Sequence, residues 1–293
     1  MNEFIASSQQ GNNKVTTTVW VVLLVFFANV IGSIPGAWAT VTQKVHPDKF
    51  PVYVVTGLML LGFAVSLIAL WLLVKYIHQR NPVTLVTPLL SINWKRILLS
   101  GGLWLACSVF IEFLTYLIKP DFYKFTFEAS VWFPSFFVGL ALIPLQSWFE
   151  EMFFRGYLLQ TISRWNIWVG IGITTVLFGL AHSFNEEIQA MGGLALAMIY
   201  YMGFGLFAAL LTITDKKLEL PMGLHAANNI YAFLIVGYPS SSLPTASIFT
   251  TARLSFPLML TQWILALILY IIALKVLKIT KFSFSNSEPS NTL

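Results

Sequence analysis

The chain has 293 residues, 57% of them apolar and 10% charged, with a formal net charge of +5 and a mean hydropathy of +0.76. That balance excludes an ordinary soluble domain and indicates a polytopic membrane protein. Cys107 is the only cysteine, which excludes an intrachain disulfide and a cysteine-based metal cluster, and with no basic run interleaved with aromatics a nucleic-acid partner is excluded as well.

The first residues, Met1 to Asn13, are polar and carry no basic n-region. The apolar run that follows, Thr18 to Trp38, is too long for a signal-peptide core and reads as a retained span. A window of roughly 20 residues then gives eight spans. They lie at 16–38, 52–75, 97–118, 131–160, 166–187, 192–213, 219–238 and 256–278. Residues 81–96, with Pro82, Pro88 and Trp94, read as an interfacial loop, and Pro239–Thr251 as a Ser/Thr/Pro-rich linker. Phe282–Leu293 reads as a polar, disordered tail. The expected fold is thus all-α. It divides into membrane helices of unknown role over 1–128, a polar-residue-bearing unit over 129–240, and a last helix with its tail over 241–293. With the N-terminus inside, Lys44, Lys49, Lys119, Lys124 and Arg253 fall outside, and the other twelve of the 17 Lys and Arg fall inside. The positive-inside rule therefore puts both termini in the cytoplasm.

The chain is organised around Ser147 to Tyr157, SWFEEMFFRGY, where two glutamates and an arginine interrupt an oily run. An ionisable side chain at membrane depth costs about 2.5–3.5 kcal/mol on insertion scales, so each needs a partner, a wet cavity or a task. On a helix Glu151 and Arg155 are i,i+4 and can pair. A salt bridge at a helix end explains those two, and it leaves Glu150 unexplained. Further polar residues stand in apolar surroundings: His182 one turn after Phe178, and His225 with Asn229 at i,i+4 and Asn228 beside it. Taken singly, a membrane His or Asn is usually interhelical glue. Together, Glu150, His182, His225 and Asn229 form an inventory for peptide hydrolysis by water. A carboxylate and an imidazole move the proton, and an imidazole with a carboxamide clamps the oxyanion.

EEMFFRG resembles the EExxxR motif of the type II CAAX prenyl endopeptidases and their bacteriocin-processing relatives, the Abi family. Phe178 to His182 is similar to that family's FxxxH motif, and His225 to Asn229 to its HxxxN motif. The resemblance covers about Pro134 to Tyr238. It implies an intramembrane glutamate protease of eight spans whose site is reached from the cytoplasmic side. It implies catalytic roles for Glu150, His182, His225 and Asn229, with Glu151 and Arg155 in support. The expected substrate is a protein or peptide, lipidated or not, and no cofactor is expected.

Two other classes stay open. Glu150, His182 and His225 could instead hold a catalytic zinc with water as the fourth ligand, although no HExxH motif is present. A transporter or immunity scaffold could line a pathway with the same residues. Helix arithmetic adds one condition. If the fourth span ended at Glu150, His182, about 22 Å along the next helix, could not cooperate with it. The fourth helix must therefore continue to about Gln160, and the fifth must run past His182 or the chain must re-enter there.

Overall fold

The structure is a computed structural model and describes residues 2–47, 49–89 and 91–280; the polar tail expected over Phe282–Leu293 lies outside the described residues. A short α1 (Glu3–Ala6) precedes the long α2 (Val15–Val45) and α3 (Val52–Tyr76). Next come α4 (Trp94–Ile118) and α5 (Ala129–Glu151). α5 passes without a break into a π-helical segment, Met152–Leu159, and a last turn, α6 (Gln160–Ile162). The remainder is α7 (Ile167–Ala181), α8 (Leu194–Asp215), α9 (Glu219–Leu234) and α10 (Phe256–Val276).

The expected all-α membrane fold is therefore found, but the count of spans is not eight. Among the described residues six helices are long and apolar enough to cross a bilayer: α2, α3, α4, the continuous Ala129–Ile162, α8 and α10. The 15 residues of α7 and 16 of α9 reach about 22 and 24 Å, less than the ~30 Å of a hydrocarbon core. No more than 39% of any apolar window among the six is buried. Trp20, Phe27, Ile31 and Trp38 of α2 are over half exposed, an apolar surface of the kind that suits a membrane-spanning helix.

α2 packs on α3, α3 on α5, α5 on α9, α4 on α9 and α10, and α7 on α8. The α4–α9 crossing is close because glycine faces glycine: a Cβ on Gly223 would stand 2.1 Å from the Ile97 carbonyl oxygen, with Gly101 N at 2.9 Å. Only glycine fits there, and His225 follows two residues later.

The two ends of the bundle differ. One end carries the described N-terminal residues. There Asn2 Nδ2 donates to Ile213 O at 2.9 Å, and Asn12 N to His78 O at 2.7 Å. Arg96 pairs with Asp215 at 2.6 Å and Glu219 at 3.1 Å, and donates to Ile279 O at 2.9 Å. This end is also tightly packed. Phe4 is fully buried, and Gly156 approaches Leu85 so closely that a Cβ would lie 2.5 Å from its carbonyl oxygen. Arg80 is buried, donates to Thr84 Oγ1 and Gln160 Oε1 at 2.5 Å each, and burial lowers its pKa to about 10. Burial likewise pushes the His78 imidazole below its ordinary value.

The opposite end carries a small sheet of order β1-β3-β2, made of Tyr123–Phe125, Val236–Gly237 and Phe249–Thr251. The expected linker Pro239–Thr251 thus ends in a strand. Lys44 and Glu186 meet here at 3.7 Å, and Ala252 N donates to Phe122 O at 2.8 Å.

Candidate active site

Glu150 and Glu151 end the regular part of α5, both buried. The helix does continue to Ile162, as the helix arithmetic required, but over Met152–Leu159 it is wound as a π-helix. Such insertions concentrate at functional sites. Glu151 accepts from Arg155 Nη1 at 3.0 Å, with neither side chain exposed. Arg155 also donates to Gly205 O at 3.4 Å, and its guanidinium lies 4.1 Å from the Phe178 ring centroid.

His225 contacts both glutamates. Its Nδ1 lies 2.8 Å from Glu151 Oε1 and its Nε2 3.6 Å from Glu150 Oε2. A carboxylate only accepts, so Nδ1 carries the proton, and Nε2 can donate only in the imidazolium form. The second contact is too long for a hydrogen bond, and among the described residues buried Glu150 Oε2 has no donor.

The other oxygen of Glu150 is held by a residue that the sequence reading passed over. Gln146, one turn earlier, donates from Nε2 to Glu150 Oε1 at 2.5 Å. Its Oε1 accepts from Asn229 Nδ2 at 2.9 Å and from Ser147 Oγ at 3.1 Å. Gln146 therefore joins the α5 carboxylate to the α9 carboxamide. Its position at i−4 from Glu150 in an uncharged run was the available signal. Asn228 accepts from Trp104 Nε1 at 3.3 Å and donates to Asn229 Oδ1 at 3.2 Å, so it turns to the neighbouring α4.

His182 sits apart from this set. α7 stops at Ala181 with His182 as its C-cap, so the helix does not run past it. The chain turns there into a short 3₁₀ stretch, Glu186–Ile188. The ring donates from Nδ1 to Phe178 O at 2.7 Å, which leaves Nε2 as the basic nitrogen. It stacks on Tyr201 at 4.4 Å between centroids, and the Tyr201 hydroxyl bonds to Glu187. Among the described residues no hydrogen bond joins Glu150 to His182; the nearer imidazole is His225. Phe178 stands between the two histidines, 4.6 Å from one ring centroid and 6.0 Å from the other.

All four residues line one cavity of about 1010 Å³ together with Gln146 and Asn228. Among the described residues no group of three His, Cys, Asp or Glu is arranged to hold a metal ion. The trio Glu150, His182 and His225 therefore does not form a ready ligand set.

The cavity extends from Glu150 toward the end of the bundle that carries the sheet.

The profile of the family described as type II CAAX prenyl endopeptidase Rce1-like matches residues 131–231. The uncharacterized protein YyaK of Bacillus subtilis (strain 168) is 30% identical over 270 residues, covering 86% of this chain and 88% of that protein. No solved structure matches the chain. The matched segment carries all three motifs on the helices that build the cavity, and the relative extends the likeness over nearly the whole chain. The chain accordingly belongs to the Rce1-like family of type II CAAX prenyl endopeptidases, membrane proteases that act on protein or peptide substrates.

Proposed function

We propose that this chain is an intramembrane endopeptidase that cuts a peptide bond near the C-terminus of a lipidated protein or a membrane peptide, with water as the nucleophile. Glu150 takes a proton from water as the oxygen attacks the carbonyl carbon. The C–N bond then breaks and a proton passes to the leaving amine, a transfer shared with His182 on the cavity wall. His225, held by Glu151 and in its imidazolium form, donates to the oxyanion from Nε2, and Asn229, held by Gln146, donates from Nδ2. Gln146, Glu151 and Arg155 are positioning residues. No metal takes part in this reading. Both termini face the cytoplasm, as the Lys and Arg distribution favours.

The observation that carries the reading is Glu150 Oε2: a buried carboxylate oxygen with no donor, on a cavity wall, 3.6 Å from an imidazole nitrogen. Leaving such a group unsatisfied is costly, and purely structural carboxylates are paired. Among the described residues Glu151 Oε2 is likewise buried without a donor, but Glu151 pairs with the Arg155 guanidinium and does not line the cavity, whereas Glu150 does, which separates the roles of the two. One observation favours a second reading. The 2.8 Å contact of Glu151 with His225 is that of a carboxylate orienting a histidine base. Under that reading His225 would activate the water, and Glu150→Gln would keep turnover. The test is a comparison of peptide C-termini from cells carrying wild type or Glu150→Ala. Peptides shortened only with wild type would name the substrate; identical peptide sets would refute Glu150 as the base, and identical sets with His225→Ala as well would refute the enzyme assignment.

A further inference from the structure

Several carboxylates of the chain stand against a basic partner. Asp215 and Glu219 pair with Arg96, Glu151 with Arg155 and Glu186 with Lys44. The cavity is lined by three others, Glu112, Glu150 and Glu187, and among the described residues Arg253 is the only lysine or arginine on its wall. Among the described residues none of these three is in an ion pair with Lys or Arg. A chain of formal net charge +5 thus keeps an acidic chamber, and low-dielectric walls focus the field of such a chamber on cations.

Glu187 is saturated. Its Oε1 accepts from Asn185 Nδ2 at 2.9 Å and from the Tyr201 hydroxyl. Its Oε2 accepts from Ser242 N at 2.9 Å and from the Ser242 hydroxyl. A carboxylate offers about four lone-pair sites, so none is left for a ligand. Glu112 keeps half of its sites open. Tyr231 OH donates to Oε2 at 2.5 Å and Tyr123 OH donates to Oε1, one donor to each oxygen. The side chain is half-buried and lines the cavity, where α4 also presents Trp104, Ser108 and Ile111. These four positions form the i, i+4, i+7, i+8 stripe of one helix face. An uncharged acceptor would tie the same two tyrosines without setting a charge inside a span. Glu112 also lies outside the segment 131–231 matched by the family profile, so no shared motif accounts for it.

We propose that Glu112 is a specificity-determining residue that binds a basic side chain of the substrate. This rests on the proposed reading of the cavity as the reaction chamber. The open lone pairs of the held carboxylate accept from a lysine ammonium or an arginine guanidinium, and each charge gains its partner. Tyr231, which holds Glu112, is six residues beyond His225 on α9, a rise of about 9 Å. An extended chain covers that distance in about three residues. Glu150 lies 3.6 Å from His225, so the basic residue stands about three positions from the bond that is cut.

The test measures capture without turnover, using the full chain in detergent with Glu150→Gln. The probe is a degenerate library of N-acetylated, C-amidated decapeptides, and the retained pool is read by mass spectrometry. Lys and Arg should be enriched over Glu and Asp by about ten- to hundredfold, the range for a hydrogen bond to a charged group. With Glu112→Gln added, peptides should still be retained but without the basic preference. Glu112→Asp should keep part of the preference. Glu112→Lys should reverse it toward Glu and Asp, a gain that misfolding cannot imitate. In the same library, bonds cut by wild type should carry the basic residue about three positions away. A basic preference unchanged by Glu112→Gln, or none with Glu150→Gln alone, would overturn the proposal. So would loss of all capture in every Glu112 variant, which would make the residue a structural tie. If wild type cuts nothing while Glu150→Gln retains basic peptides through Glu112, the enzyme reading fails and the cation subsite stands.

Discussion

Glu151→Gln isolates the structural half of the two-glutamate motif. The substitution keeps the shape of the side chain and removes one negative charge beside Arg155, and both groups are fully buried. Arg155 would keep Gly205 O at 3.4 Å and the face of Phe178, neither of which neutralises a charge. Removing one partner of a buried ion pair costs about 3–5 kcal/mol, because the other charge stays buried. A cation over an aromatic face recovers about 0.5–2 kcal/mol, but that contact exists before and after the change and does not reduce the difference. A glutamine carbonyl can still accept from His225 Nδ1, now at 2.8 Å from Glu151, so the histidine loses charge assistance and keeps its orientation. The assay is thermal unfolding in detergent, read by a thiol-reactive dye at the half-buried Cys107, with Glu150→Gln as control. Glu151→Gln should unfold at clearly lower temperature and the control near wild type. Glu151→Gln with Arg155→Met should recover most of the loss, since a neutral pair of similar size leaves no charge desolvated. Equal midpoints for the two single variants, or a double variant as weak as Glu151→Gln, would refute the division of roles.

Glu150→Gln should fold and insert while cleavage falls on the order of 10²–10⁴-fold or more, measured on purified protein with the substrate found by peptide comparison. Asn229→Ala should lower turnover by about 10²–10³-fold, the cost of one oxyanion donor. Asn228→Ala should do much less, and a larger effect at Asn228 would show the wrong residue in the clamp. Gln146→Ala should lower turnover on the order of 10²-fold by letting the carboxylate shift, with little change in KM. Prolonged chelation with elemental analysis of the same sample should leave activity intact; zinc lost in step with activity would refute the metal-free mechanism. The pH dependence of stability should carry a His78 component. Its folded pKa lies below the ordinary 6.5 because burial disfavours the cation, so the unfolded chain binds the proton first as pH falls. That stability is present above 6.5 and is lost as pH drops through the folded value. Unfolding of wild type and His78→Gln between pH 8 and 5 tests this; parallel curves would refute it.

The amino-acid sequence alone determined the class and the membrane, and it picked out four polar residues that line one cavity. Composition and hydropathy do so because a lipid-covered surface must be apolar along its whole length, which no other environment demands. The spacing of Glu151 and Arg155 was legible for the same reason: i,i+4 neighbours in one helix meet whatever surrounds them. Span lengths were less so, since a window cannot see α7 stop at His182, whose own ring bonds Phe178 O, or α9 at Leu234, whose carbonyl accepts from Trp132 Nε1 of α5. Only tertiary structure decided which imidazole faces Glu150. His225 takes that place because glycines at the α4–α9 crossing bring α9 against α5, while Phe178 O and Tyr201 hold the ring of His182. The π-helix after Glu151 and the bridge from Gln146 to Asn229 were equally hidden, one being a change of winding with the same side chains, the other a contact across 83 residues. The direction in which the cavity opens was hidden too, because it depends on which loops pack and which stay apart, a property of the assembled bundle and of no single stretch.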